Sequence, residues 1–150
     1  MTSTAVRFYH LLSSPLDKAL PKLMEAAYQN GVKTLIHGRE DQVETLDRAI
    51  WTYHPGKFIP HGTDRDPYPD EQPICLSTGF TPINDATLLV IVNGVLYEGT
   101  HIFTRLFDVF DGTDDEAVIA ARARWATYKE KGCGLEYFRQ QEDGSWTQQK

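Results

Sequence analysis

Histidines, cysteines and clustered acids are the side chains in this sequence that could move protons, attack a substrate or hold a metal. The five histidines, His10, His37, His54, His61 and His101, are scattered, with no H-x-x-x-H or H-x-H pair at metal-ligand spacing. His37, at the end of a β-branched run, is the candidate general base, because ligands of α/β proteins bind outside the carboxyl ends of strands. A loop or cap histidine is the plain alternative, as no partnered nucleophile can be named. Cys75 and Cys133 are the only cysteines and form no C-x-x-C pair, which fits free thiols in a reducing cytosol. Asp64, Asp66, Asp70 and Glu71 depart from EF-hand spacing and are interrupted by Pro67 and Pro69, so a solvated loop is expected there. Phosphate-binding motifs are missing from the sequence. Leu12-Ser13-Ser14-Pro15 stands where G-x-G-x-x-G would follow the first strand, and Gly56-Lys57 has Trp51 in place of the upstream glycine and Phe58 in place of Ser/Thr. There is no G-x-S-x-G. Neither a catalytic residue, a metal nor a cofactor is expected.

The remaining groups suit binding. Val118, Arg122, Trp125 and Lys129 follow i, i+4, i+7, i+11, which puts them along one helix face as an apolar slot flanked by cations. Such a slot fits a short acidic peptide with an apolar end, since arginine holds a carboxylate bidentately and the aromatic supplies buried area. The same spacing also fits a core tryptophan with solvated cations around it. A second aromatic-rich stretch, Trp51-Thr52-Tyr53-His54 through Phe58-Ile59-Pro60-His61, offers either an exposed interface or loop anchors tucked inward.

The elements that must position these groups alternate. Ala5-Val6-Arg7-Phe8-Tyr9-His10-Leu11 reads as a first strand. After Ser13-Ser14-Pro15, the residues Leu16, Leu20, Leu23, Met24 and Ala27 mark a helix up to Asn30-Gly31, with Pro21 either kinking it or marking its start. Residues 32–37 form a second strand, and Val43, Leu46 and Ile50 mark a second helix ending near Trp51. Residues 52–72, with four prolines, read as a long surface connection. Strands follow at 73–77 and 87–92. Asn93-Gly94 before Val95-Leu96-Tyr97 signals a type I′ hairpin. Residues 105–110 form another strand, and Thr113-Asp114-Asp115-Glu116 is a capping-box sequence opening a helix to about Lys131. Short strands at 135–138 and 145–147 flank the Asp143-Gly144 turn.

A chain of 150 residues accommodates one domain of ordinary size with its own core. The expected fold is α/β, one sheet with covering helices joined by right-handed crossovers over residues 1–150. With 15 Lys and Arg against 21 Asp and Glu, the net charge of −6 argues against nonspecific DNA or RNA binding. No export signal or membrane span is encoded.

The sequence resembles the chi subunit family of bacterial DNA polymerase III over nearly its whole length. The resemblance rests on Phe8-Tyr9-His10-Leu11, Leu46-Asp47-Arg48-Ala49-Ile50-Trp51, Phe58-Ile59-Pro60-His61-Gly62, and Ala121-Arg122-Ala123-Arg124-Trp125 with Tyr128 and Gly132. The closing Gly144-Ser145-Trp146 looks like the alphaproteobacterial branch. The resemblance implies a single-domain, three-layer Rossmann-like α/β fold with a mostly parallel sheet covered by helices, and a noncatalytic cytoplasmic adaptor that joins the clamp-loader assembly to single-stranded-DNA-binding protein. It implies that the acidic carboxyl-terminal tail of that protein enters a pocket near the last long helix. Arg122 falls on the family's basic position and Trp125 on an aromatic one, while Val118 and Ala126 replace two further basic positions and leave Lys129 as a substitute. Trp51, Phe58 and Pro60 match the interface for the psi subunit or an equivalent, a surface also suited to a helicase or repair protein. The family favours a longer loop over the hairpin at Asn93-Gly94. The competing reading is a small nucleotide-binding protein or enzyme using His37.

Overall fold

Alternation within the first strand decides the layering. The computed structural model describes residues 4–99 and 102–149. In β1 (Ala5–Leu11), Val6 and Phe8 enter one core cluster while Tyr9 and Leu11 enter another on the opposite face. Helices α1 (Leu16–Gln29) and α2 (Glu40–Trp51) cover the Tyr9 face with Ala19, Leu20, Met24, Val43, Leu46 and Ile50. Helix α3 (Asp115–Glu130) covers the Phe8 face with Ala121 and Tyr128. The remaining strands are β2 (Thr34–His37), β3 (Gly62–Thr63), β4 (Ile74–Ser77), β5 (Leu88–Ile91), β6 (Arg105–Asp111), β7 (Gly134–Gln140) and β8 (Trp146–Gln149). They form one sheet in the order β3-β4-β2-β5-β6-β1-β7-β8, parallel throughout except for β7 against β8. This is the expected three-layer α/β arrangement. Helix α1 carries the chain from β1 toward β2 in one direction along the sheet and α3 carries it from β6 past β1 to β7 in the other, so right-handed crossovers place the two helices on opposite faces.

Several local readings change. Asn93-Gly94 does not turn a hairpin. Gly94 takes a positive φ of 71°, but residues 93–99 and 102–104 form no strand and β6 returns parallel to β5. That loop does a helix's work on the α3 face, burying Tyr97 and Phe103 against the sheet. Pro21 lies buried inside α1, which begins at Leu16 after a Pro15 cap, so it does not mark the helix start. Asp114, rather than Thr113, caps α3 by accepting from Glu116 N at 3.0 Å, while Thr113 bonds back to Asp111. The 52–72 connection is not wholly superficial. It contains β3 and a 3-10 turn at Pro69–Glu71, and it buries Ile59 and His61.

Candidate functional site

Helix α3 lies beside β6 and β7, its buried face carries Ala121, Arg124 and Tyr128, and Trp125 stands at the margin of that face. Trp125 is half-buried, edge-on to Phe8 at 5.5 Å and to Tyr137 at 5.8 Å between ring centroids. Phe8 itself is fully buried and stacks with Tyr137 at 6.2 Å. Val118, one face-repeat earlier, packs partly buried against the same cluster. The two readings of Trp125 therefore merge, since the indole belongs to the edge of the core and still reaches the surface. Arg122 and Lys129 are exposed, and neither has an ion-pair partner among the described residues. The four residues share the face their spacing assigned to them.

Arg124 does not join these exposed cations. It is 6% exposed, and its Nε and Nη2 donate to the two oxygens of the fully buried Asp108 at 2.6 and 3.0 Å. Its third donor, Nη1, reaches Gly94 O at 3.1 Å. Burial pushes the Asp108 carboxyl up, and the two guanidinium bonds oppose that rise. The negative charge of Asp108 is thus spent inside the protein, leaving Asp111, Asp114, Asp115 and Glu116 as the exposed acids at the start of α3.

A second group adjoins Trp125 that spacing did not reveal. His10, buried on the Phe8 face, places Nδ1 2.5 Å from the Tyr137 hydroxyl and its ring against Phe110. Gly112 permits this seat, because a Cβ there would fall 1.9 Å from the imidazole. Burial lowers the His10 pKa below its ordinary value, Arg139 and Arg122 lower it further, and the Gly112 backbone and Asp111 oppose them. The usable signal was the strand register, which sets Phe8 beside Tyr137 and His10 beside Arg139.

The aromatic stretch after α2 also divides. Trp51 is 53% and Phe58 63% exposed, and their rings meet at 5.5 Å to form one apolar patch with half-buried Pro60 close by in sequence. Beneath them, His61 is an inward anchor. Its Nδ1 lies 2.8 Å from Ile59 O, its Nε2 lies 3.0 Å from Asp47 O and 3.1 Å from Asp47 Oδ1, and Trp51 covers its ring at 4.7 Å. The end of α2 is thereby fixed to the loop that carries Phe58.

His37 is held too firmly to serve as a free base. Its Nδ1 bonds Gly79 O at 3.1 Å, its Nε2 faces Asn93 Nδ2 at 3.2 Å, and the ring stacks on Phe80 at 3.8 Å. Donation from Asn93 requires the neutral ring with its proton on Nδ1, and burial likewise lowers the pKa. The turn between β1 and α1, where a phosphate would meet a helix terminus, is filled by a neutral side chain. Leu12 N, Ser13 N and Ser14 N donate to Gln140 Oε1 at 3.0, 2.9 and 3.2 Å, and Gln140 Nε2 donates to Ser14 Oγ.

The loop acids likewise make local bonds. Asp64 accepts from Ser77 Oγ and Asp66 from Thr63 N. No cluster of three or more His, Cys, Asp or Glu among the described residues is arranged to hold a metal ion. Both cysteines are buried, and burial pushes the Cys75 thiol up to about 11, far from a reactive thiolate. His101 lies outside the described residues. No described helix is long and apolar enough to cross a membrane.

Comparison with known proteins draws the same outline. The family model described as DNA polymerase III chi subunit, HolC, matches residues 3–136. A probable DNA polymerase III subunit chi of Rickettsia prowazekii is 36% identical over 86 residues, covering 57% of this chain and 52% of that protein. The DNA polymerase III subunit chi of Pseudomonas aeruginosa is 28% identical over 139 residues, covering 89% of this chain and 94% of the relative. That of Haemophilus influenzae is 26% identical over 140 residues, covering 90% and 96%. With the α/β fold in place and the family pattern spanning most of its length, this chain belongs to the DNA polymerase III chi subunit family.

Proposed function

We propose that this protein is a noncatalytic, cytoplasmic accessory subunit that links the clamp-loader complex to single-stranded-DNA-binding protein by holding that protein's acidic carboxyl-terminal tail on α3. The observation that carries this reading is the half-buried Trp125 standing between Arg122 and Lys129, cations without an ion-pair partner among the described residues, along one helix face. Arg122 pairs the tail's carboxylate, and Trp125 with Val118 walls the slot for its apolar end. The exposed Trp51–Phe58 patch with Pro60 receives psi or an equivalent clamp-loader subunit, and its chemistry also suits a helicase or repair protein.

Calorimetric titration with the tail peptide tests the first surface. Arg122→Ala is expected to weaken binding by about 1–3 kcal/mol, the range for a charge-assisted hydrogen bond. Unchanged affinity would remove Arg122 from the site. Trp125→Ala needs circular dichroism beside it, because its contacts with Phe8 and Tyr137 make a packing loss part of its effect. The competing nucleotide-enzyme reading loses ground because Gln140 occupies the amides and His37 is bonded at both nitrogens. A thermal-shift comparison of nucleotides with the tail peptide separates the two, with stabilisation expected from the peptide alone.

A further inference from the structure

Two guanidinium groups flank a histidine at the end of the Trp125 slot. Arg122 on α3 and Arg139 on β7 are both exposed, and neither pairs with a carboxylate among the described residues. Both guanidiniums act to lower the pKa of buried His10 and of half-buried Tyr137. Tyr137 connects the two regions physically, with its ring edge on Trp125 at 5.8 Å and its hydroxyl 2.5 Å from His10 Nδ1. The register adds that His10 and Arg139 are direct neighbours across β1 and β7.

Building on the tail-binding reading, we infer that the anion site continues past Arg122 across the carboxyl ends of β1 and β7, with Arg139 as its second cation and His10 as a proton-linked third. A bound polyanion offsets the repulsion that Arg122 and Arg139 exert on an imidazolium between them. Binding the acidic peptide therefore takes up a proton at His10, and affinity rises as pH falls through its titration range. The titratable and charged groups that act on His10 are Tyr137 and Arg139 from β7, Arg122 from α3 and Asp111 from the end of β6, with the Gly112 backbone beyond it. Asp111 is the only acid in this set, and its carboxylate already accepts from the Thr113 backbone and hydroxyl.

The test is calorimetry of the full chain with the tail peptide of a single-stranded-DNA-binding protein, at about pH 7.5 and about pH 5.5, a range in which histidine titrates and aspartate stays ionised. Wild-type affinity is expected to increase about threefold toward the lower pH, and His10→Gln, which keeps a polar partner for Tyr137, is expected to flatten that change. Arg139→Ala is expected to weaken binding about three- to tenfold, less than Arg122→Ala. NMR titration of the His10 ring in wild type, expected to move to higher pKa on adding peptide, decides the question even if the variant folds poorly. A pH-independent affinity together with a silent Arg139→Ala, while Arg122→Ala still weakens binding, overturns this extension and leaves the α3 site standing. Absence of any wild-type binding overturns the α3 reading itself.

Discussion

Arg122 and Arg124 are two positions apart and have opposite fates. Helical geometry turns residues two apart onto different sides, so one guanidinium meets solvent while the other meets Asp108 in the sheet. Removing Arg124 strands a buried carboxylate, and Arg124→Ala is expected to cost about 3–5 kcal/mol in urea unfolding. Arg122→Ala is expected to stay within about 0.5 kcal/mol of wild type, as for an exposed residue without an ion-pair partner among the described residues. The two buried histidines make a further prediction. His10 and His37 both have pKa values lowered by burial, so the unfolded chain binds protons that the folded chain resists. Their contribution is complete above the ordinary histidine pKa of about 6.5 and is lost as pH falls below it. Thermal unfolding across that range should show stability decreasing toward acid, and His37→Gln should make the decline shallower. Sequence spacing identified the helix face of Arg122 but could not separate it from Arg124, because their difference depends on a carboxylate sixteen residues upstream on β6.

At the level of elements, periodic segments were readable and the irregular ones were not. Leu16, Leu20 and Met24 repeat with the helix, and the apolar runs of β2, β4 and β5 match strands buried on both faces. The turn signal at Asn93-Gly94 is local, whereas the partner of β5 is set by the parallel ladder with β6. Tertiary pairing therefore overrode turn chemistry. The same holds for Gln140, whose role depends on amides 126 to 128 residues away. Gln140→Ala would leave three amides of the β1–α1 turn without their acceptor, and a loss of about 1–3 kcal/mol is expected in denaturant unfolding. Gln140→Glu retains the acceptor and places its charge at the start of α1, so it should be far milder.

Across the whole molecule, the two candidate surfaces rest on different layers. Trp51 ends α2 on one face of the sheet, while Arg122 and Trp125 belong to α3 on the other. Separate layers without shared contacts predict additive behaviour. Phe58→Ala should leave tail-peptide affinity unchanged in calorimetry, and Arg122→Ala should leave capture of a clamp-loader partner unchanged in a pull-down. The net charge of −6 was visible from composition alone, but its placement was not, since Asp108 is neutralised internally while Arg122, Lys129 and Arg139 remain outward. A mildly acidic protein can in this way repel a phosphate backbone and still present a local basic seat.

The bond from Arg124 to Asp108 also governs how α3 is aimed. The face that α3 turns to the sheet carries Ala121, Arg124 and Tyr128, and the Tyr128 hydroxyl accepts from Tyr97 N at 2.9 Å near the carboxyl end of the helix. Two short hydrogen bonds to one carboxylate and a third to the Gly94 carbonyl hold it at a single rotation, like a keyway on a shaft. That fixed rotation determines which side chains meet the solvent: a small roll would carry Arg122 away from the rim of the sheet and tilt the indole of Trp125 off Phe8. The inward arginine, which touches no ligand, thus sets the direction in which the outward one points.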